Sequence, residues 1–124
     1  MVVDEKTDFR QIARAGGMAL SYRAGDFILR EGDVASCMYI VLKGSVEMST
    51  RDKVVVTIPE GKPFGMLSMI DKKLRANTAR AKKDCELALL DERTFRVMIK
   101  ETPGFVWYVI NEFASRLRAT HALL

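Results

Sequence analysis

Between Met18 and Leu90 the sequence is cut into short apolar segments by glycine and aspartate, and this punctuation restricts the fold more than any other feature. Turn residues recur about every 8–12 positions, which suits the strands of an antiparallel sandwich or barrel. Ala19–Arg23 leads into the turn Ala24-Gly25-Asp26, Phe27–Glu31 into Gly32-Asp33, and the apolar run Cys37–Lys43 breaks at Gly44. Ser45–Arg51 alternates, with Val46 and Met48 on one face. Asp52-Lys53 then predicts a tight turn into the β-branched segment Val54–Ile58, and further strands are expected at Arg75–Lys82 and Cys85–Leu90.

Helical periodicity replaces this pattern at both ends. Residues 4–15 read as a helix capped by Asp4 or Thr7, with Phe9, Ile12 and Ala13 on one face and Gly16-Gly17 ending it. Asp91 caps a helix over Glu92–Lys100 whose apolar face is Phe95, Met98 and Ile99. Thr102-Pro103 predicts a second start, Thr as N-cap and Pro at the first helical position, for a helix running towards His121. Val106, Val109, Ile110, Phe113 and Leu117 recur at spacings of three and four, and Phe105, Trp107 and Tyr108 widen that surface. Such a helix either lies in the core or pairs with a second copy. With 124 residues the chain suits one domain: helix over 1–17, β-roll over 18–91, helices over 92–124.

Composition narrows the function classes. Net charge is only +4, from 20 basic and 16 acidic residues, which permits an anionic ligand without calling for nucleic acid. No apolar run reaches a membrane span and no secretory signal opens the chain, so a cytoplasmic protein is expected. Cys37 and Cys85 read as buried thiols; one histidine and no Cys-x-x-Cys spacing argue against a metal. No nucleophile–base set or carboxylate pair suggests an enzyme, and no cofactor is expected.

The stretch from Phe64 to Ala81 interrupts the strands. It holds the turn Pro63-Phe64-Gly65, a short apolar segment of one or two helical turns, and a basic loop ending at Arg75. A glycine at a helix start lets backbone N–H groups approach an anion, and a guanidinium fork matches a phosphate. Pairing of the strands before and after it would hold this cradle on a rigid wall. Lys72, Lys73, Arg75, Arg80, Lys82 and Lys83 are either an electropositive mouth or a solvated face.

These segments together resemble a cyclic nucleotide-binding domain, the sensor module of catabolite-activator-type regulators, kinase regulatory subunits and gated channels. Glu31-Gly32-Asp33, Tyr39, Gly44 and Val46 match the family's E-G-D…Y-x-(I/V)…G-x-V spacing, and Tyr22, Gly25 and Ile28 match the turn before it. Phe64-Gly65 opens and Arg75 closes a phosphate-binding cassette, with Thr78 and Ala81 in its tail. Phe95, Pro103 and Ser115-Arg116-Leu117-Arg118 fit the regulator branch. The resemblance implies a mainly β fold, an antiparallel jelly roll with one helix before it and two after.

It also implies a site. Amides at Gly65, Met66 and Leu67, with Ala76 or Asn77 contributing, would hold a cyclic phosphate that Arg75 neutralises; Phe64 and Ser68 complete the cassette, and Thr120 stands where relatives contact the purine. Met66 replaces the glutamate that reads the ribose 2′-OH, and Leu74, Asn77 and Ala79 also depart from the family pattern. Loss of such a hydrogen bond costs about 1.5–3 kcal/mol, roughly ten- to a hundredfold in affinity. Glu60 and Glu86 are candidate replacements. Two readings stay open: a sensor of cAMP, cGMP or another phosphate-bearing effector, or a degenerate domain kept for dimerisation through 103–122 or for binding a protein. With no residues left for a helix-turn-helix after Leu124, direct DNA binding is not expected.

Overall fold

The structure, a computed structural model, describes residues 8–51 and 53–122. Its elements in chain order are α1 (Arg10–Gly16), β1 (Met18–Tyr22), β2 (Phe27–Leu29), β3 (Cys37–Lys43), β4 (Val46–Thr50), β5 (Lys53–Ile58), β6 (Pro63–Phe64), α2 (Met66–Asp71), β7 (Thr78–Ala81), β8 (Cys85–Asp91), α3 (Glu92–Glu101) and α4 (Phe105–Ala122). The strands form two antiparallel four-stranded sheets, β1-β8-β3-β6 and β2-β7-β4-β5, the expected jelly roll.

The apolar run Cys37–Lys43 is continuous because β3 is covered on both faces. Alternate residues serve two cores. Cys37, Tyr39 and Val41 point between the sheets, with Val46, Met48, Ile58 and Leu87; Met38, Ile40 and Leu42 point to the helices, with Phe9, Ala13, Met98, Phe105 and Val109. The first sheet is thus a middle layer, with the second sheet on one side and the helices on the other. A one-residue slip of β3 would exchange its two faces.

Several boundaries differ from the sequence expectation. β2 stops at Leu29 because the Arg30 N–H and C=O both bond Asp33, closing the turn there. β7 starts at Thr78, not Arg75, because the Arg75 backbone is engaged by that same turn: its N–H donates to Asp33 O (2.8 Å) and its carbonyl accepts from Gly32 N–H (2.9 Å). Strands before and after the cradle pair as expected, β4 with β7 and β3 with β8, but the two that flank it directly do not. β6 bonds β3 in the first sheet, whereas β7 lies between β2 and β4 in the second, so the cradle crosses from one sheet to the other.

Among the helices, Asp91 caps α3 as expected, its Oδ1 accepting from Thr94 N–H at 2.8 Å. Asp4, Thr7 and Asp52, assigned above to a cap and a turn, lie outside the described residues. The last helix begins at Phe105, not Pro103, because Gly104 sits at φ +83°, a left-handed conformation that a right-handed helix cannot include. Its buried side is also rotated from the expected stripe. Phe105 and Val109 are buried and Tyr108 and Phe113 partly so, while Val106, Ile110 and Leu117 face outward with Trp107.

Candidate functional site

Gly65 holds the entry to the cradle at φ +81°, where an L side chain is strained, and a Cβ there would stand 3.1 Å from Arg75 Nη1. The close approach has a purpose: Arg75 Nη1–H donates to the Gly65 carbonyl. Arg75 Nη2–H donates to Cys37 O at 2.7 Å and lies 3.7 Å from Cys37 Sγ. Arg75 is buried, and no carboxylate among the described residues pairs with it. Two carbonyl oxygens hold the guanidinium but leave its charge uncompensated, an arrangement suited to receiving an anion.

Tyr39 supports this corner. Its ring stacks on Phe64 with centroids 5.1 Å apart, and burial, followed by the Cys37 thiol beside it, pushes its phenol well above the usual range. The phenol therefore stays neutral and adds no competing negative charge.

Next to Arg75 opens a cavity of about 290 Å³. Six of the expected residues line it: Gly65, Leu67, Ser68, Arg75, Ala76 and Asn77. Asn77 Nδ2–H donates to Thr50 Oγ1 (2.6 Å) and the Ser68 hydroxyl to Leu74 O (3.1 Å), so both are fixed in place. Phe64 does not line the cavity; it is buried in the core between the sheets. Met66 is also fully buried, in the helix-side core with Met38 and Met69, so its thioether does not face a ribose as expected. Thr120 falls within α4, but its side chain lies outside the described residues.

Neither proposed replacement for the glutamate reaches the cavity. Glu60 accepts from Gly44 N–H and pairs with Arg10, and Glu86 pairs with Arg14. The electropositive mouth is likewise not assembled: Lys72 pairs with Glu92, and Arg80 projects from β7 to the Gly25 carbonyl on the outer face. Among the described residues no carboxylate lines the cavity.

Sequence reasoning missed the far walls. Leu29, Met48 and Val56 come from β2, β4 and β5, and Phe113, Arg116 and Ala119 from α4. Strand alternation around Val46 and Met48 was the available signal for the first group. Arg116 was visible only as part of a motif. It pairs with Glu112 (2.9 Å), and its Nη2–H donates to Pro63 O (2.7 Å), holding α4 against the rim of the roll. The Tyr108 hydroxyl makes a second such attachment to Gly61 O, and burial raises its pKa far above the usual value.

The cavity thus lies between a jelly roll and its last helix, floored by a glycine turn and a buried arginine. Residues 19–102 match the cyclic nucleotide-binding domain family, and the chain belongs to it. It is 35% identical over 79 residues to a cAMP-dependent protein kinase regulatory subunit of Schizosaccharomyces pombe, covering 63% of this chain and 19% of that protein. It is 26% identical over 105 residues to the cAMP-activated global transcriptional regulator CRP of Pasteurella multocida, covering 80% of this chain and 50% of the regulator. Its fold is that of the Thermus thermophilus catabolite activator protein, with TM-score 0.80 at 23% identity, over 95% of this chain and 58% of that one. The chain thus spans half or less of the two curated relatives' lengths. No described helix is long and apolar enough to cross a membrane.

Proposed function

We propose that this chain is a regulatory sensor domain rather than a catalyst. It holds a cyclic nucleotide, or another phosphate-bearing effector, in the cavity beneath α4 and relays its presence through α3 and α4. The observation that carries this reading is Arg75, a buried guanidinium bonded to two carbonyls and to no carboxylate among the described residues. An effector phosphate would take the remaining charge, with the backbone at Gly65 and Ala76 beside it. Phe113, Arg116 and Ala119 would touch the same effector from α4. Occupancy signals only if the effector prefers one placement of that helix. cAMP is the first candidate because the relatives above are named for it, and cGMP the second.

Titration calorimetry with cAMP and cGMP tests this. Binding is expected with wild type and about a hundredfold weaker with Arg75→Ala, the loss of about 3 kcal/mol that a charged hydrogen-bonding partner contributes. Because no described carboxylate lines the cavity, 2′-deoxy-cAMP is expected within about threefold of cAMP. Absence of heat at millimolar cAMP and cGMP overturns the cyclic nucleotide reading.

The alternative, an interaction module without nucleotide, is favoured by one observation. Val106, Trp107, Ile110 and Leu117 leave an apolar strip exposed on α4, suited to a second copy of the helix. Light scattering is expected to give twice the monomer mass, with Ile110→Asp returning it to the monomer.

A further inference from the structure

The solvent face of the second sheet carries a groove of about 470 Å³ on the side away from the effector cavity. In register across it stand Phe27, Arg80 and Glu47, from β2, β7 and β4, and beside them Thr78 and Ser49. Arg30 and Arg51 follow β2 and β4 at the same end of the groove, beside Thr78 and Ser49.

Three features set this groove apart from an ordinary solvated face. Phe27 is 43% exposed on a polar sheet surface, and two guanidiniums gather on it, Arg30 at 3.8 Å from the ring centroid and Arg80 at 5.0 Å. Arg30, Arg51 and Arg80 have no carboxylate within ion-pair distance among the described residues. Glu31 and Glu47 share the groove but make no ion pair with them among the described residues, and a Glu31 oxygen accepts from the Arg51 backbone N–H at 3.3 Å. The rim is also fixed in place, because Glu31 N–H donates to Thr78 Oγ1 (3.0 Å) and the following Gly32-Asp33 is bonded to the Arg75 backbone.

We infer that this groove docks a protein partner through an acidic segment carrying an aromatic or apolar side chain. Arginine and aromatic residues carry most of the energy of protein interfaces. Three guanidiniums without an ion-pair partner among the described residues, against two carboxylates, leave the groove net positive and suit a partner's carboxylates, and the exposed Phe27 ring suits an apolar group laid against it. The exposed Phe27 ring and the mixed charge of the groove separate this partner from a nucleic acid duplex, whose evenly spaced phosphates bring no apolar group to the ring and cannot avoid Glu31 and Glu47, whereas a peptide can set its carboxylates opposite the arginines alone. The lining, mostly charged and polar side chains, separates it from small-molecule sites, which are mostly apolar. The inference is independent of what fills the effector cavity.

The test uses the full chain and a fluorescein-labelled Glu/Tyr copolymer, read by fluorescence anisotropy at physiological salt. Binding is expected, weakened about tenfold by Phe27→Ala and about tenfold by Arg30→Ala, and changed less than about twofold by Lys100→Ala, which removes an exposed charge from α3. Thermal melting of each variant confirms folding, and Arg30→Ala, which removes no backbone contact, stands if Phe27→Ala does not fold. Failure of the copolymer to bind, equal losses in Arg30→Ala and Lys100→Ala, or tighter binding of a DNA duplex than of the copolymer each overturns the inference.

Discussion

Two guanidinium groups border the effector cavity, one from the cassette and one from the long helix, and they are held in different ways. Arg75 donates to the Gly65 and Cys37 carbonyls and has no acidic partner among the described residues. Arg116 is paired with Glu112 on its own helix and donates to Pro63 O and towards Met48 Sδ. Carbonyls fix a guanidinium without cancelling its charge; a carboxylate does both. An uncompensated buried cation costs several kcal/mol, and an anionic ligand would offset that cost. Arg116, already neutralised, serves instead as an attachment of α4 to the roll.

The sharpest test exchanges each arginine for lysine. Arg75→Lys keeps a charge but cannot serve both carbonyls with one rigid fork. Its cAMP affinity is expected to fall about tenfold or more by calorimetry, against less than about threefold for Arg116→Lys. Equal losses would show that the two arginines divide the ligand between them. A smaller effect separates attachment from binding. Tyr108→Phe removes the other bond from α4 to the β5–β6 segment and is expected to cost about 1 kcal/mol in thermal denaturation, with nucleotide affinity nearly unchanged. Faster amide exchange along α4 in both Tyr108→Phe and Arg116→Lys would confirm that the two side chains anchor one helix.

The smallest expected effect concerns acid sensitivity of the frame that both arginines share. The Thr94 backbone N–H, followed by the Thr94 side chain, holds the Asp91 carboxyl below its usual range. A depressed folded-state pKa gives stability that is present above the ordinary aspartate value and lost as pH falls through the folded one. Melting temperature is therefore expected to fall less between about pH 6 and about pH 3 in Asp91→Asn than in wild type. An identical acid dependence would show that the cap contributes nothing to it.

Much of this architecture could be read from the residues. The turn punctuation placed most of the strands, the Asp91 cap placed α3, and the Phe64–Ala81 motif placed the cradle, because each depends on local chemistry. What could not be read depends on long-range pairing. Arg75 looked like the first residue of a strand until the Gly32-Asp33 turn, distant in sequence, claimed its backbone. The α4 stripe was drawn at the right spacing, but only its Val109 and Phe113 turn to the core, since Phe105, Trp107 and Tyr108 offered apolar surface in several directions. Met66 was placed by analogy with a residue that reads a sugar; apolar and unbranched, it turns instead into the methionine-rich core beneath α2.

The pairing of β1 with β8 has a consequence for how the molecule is made. Met18 meets Leu89 and Tyr22 meets Cys85, so the first strand of the roll waits for the last. Contacts this distant are slow to form, because the chain must close a long loop before they stabilise anything. On the ribosome, residues 18–22 emerge well before their partners, and β8 also has to reach β3 before the first sheet is joined. The cavity, whose far wall is α4, is likewise a late product of synthesis. An effector added during refolding is expected to slow unfolding while leaving the rate of folding nearly unchanged.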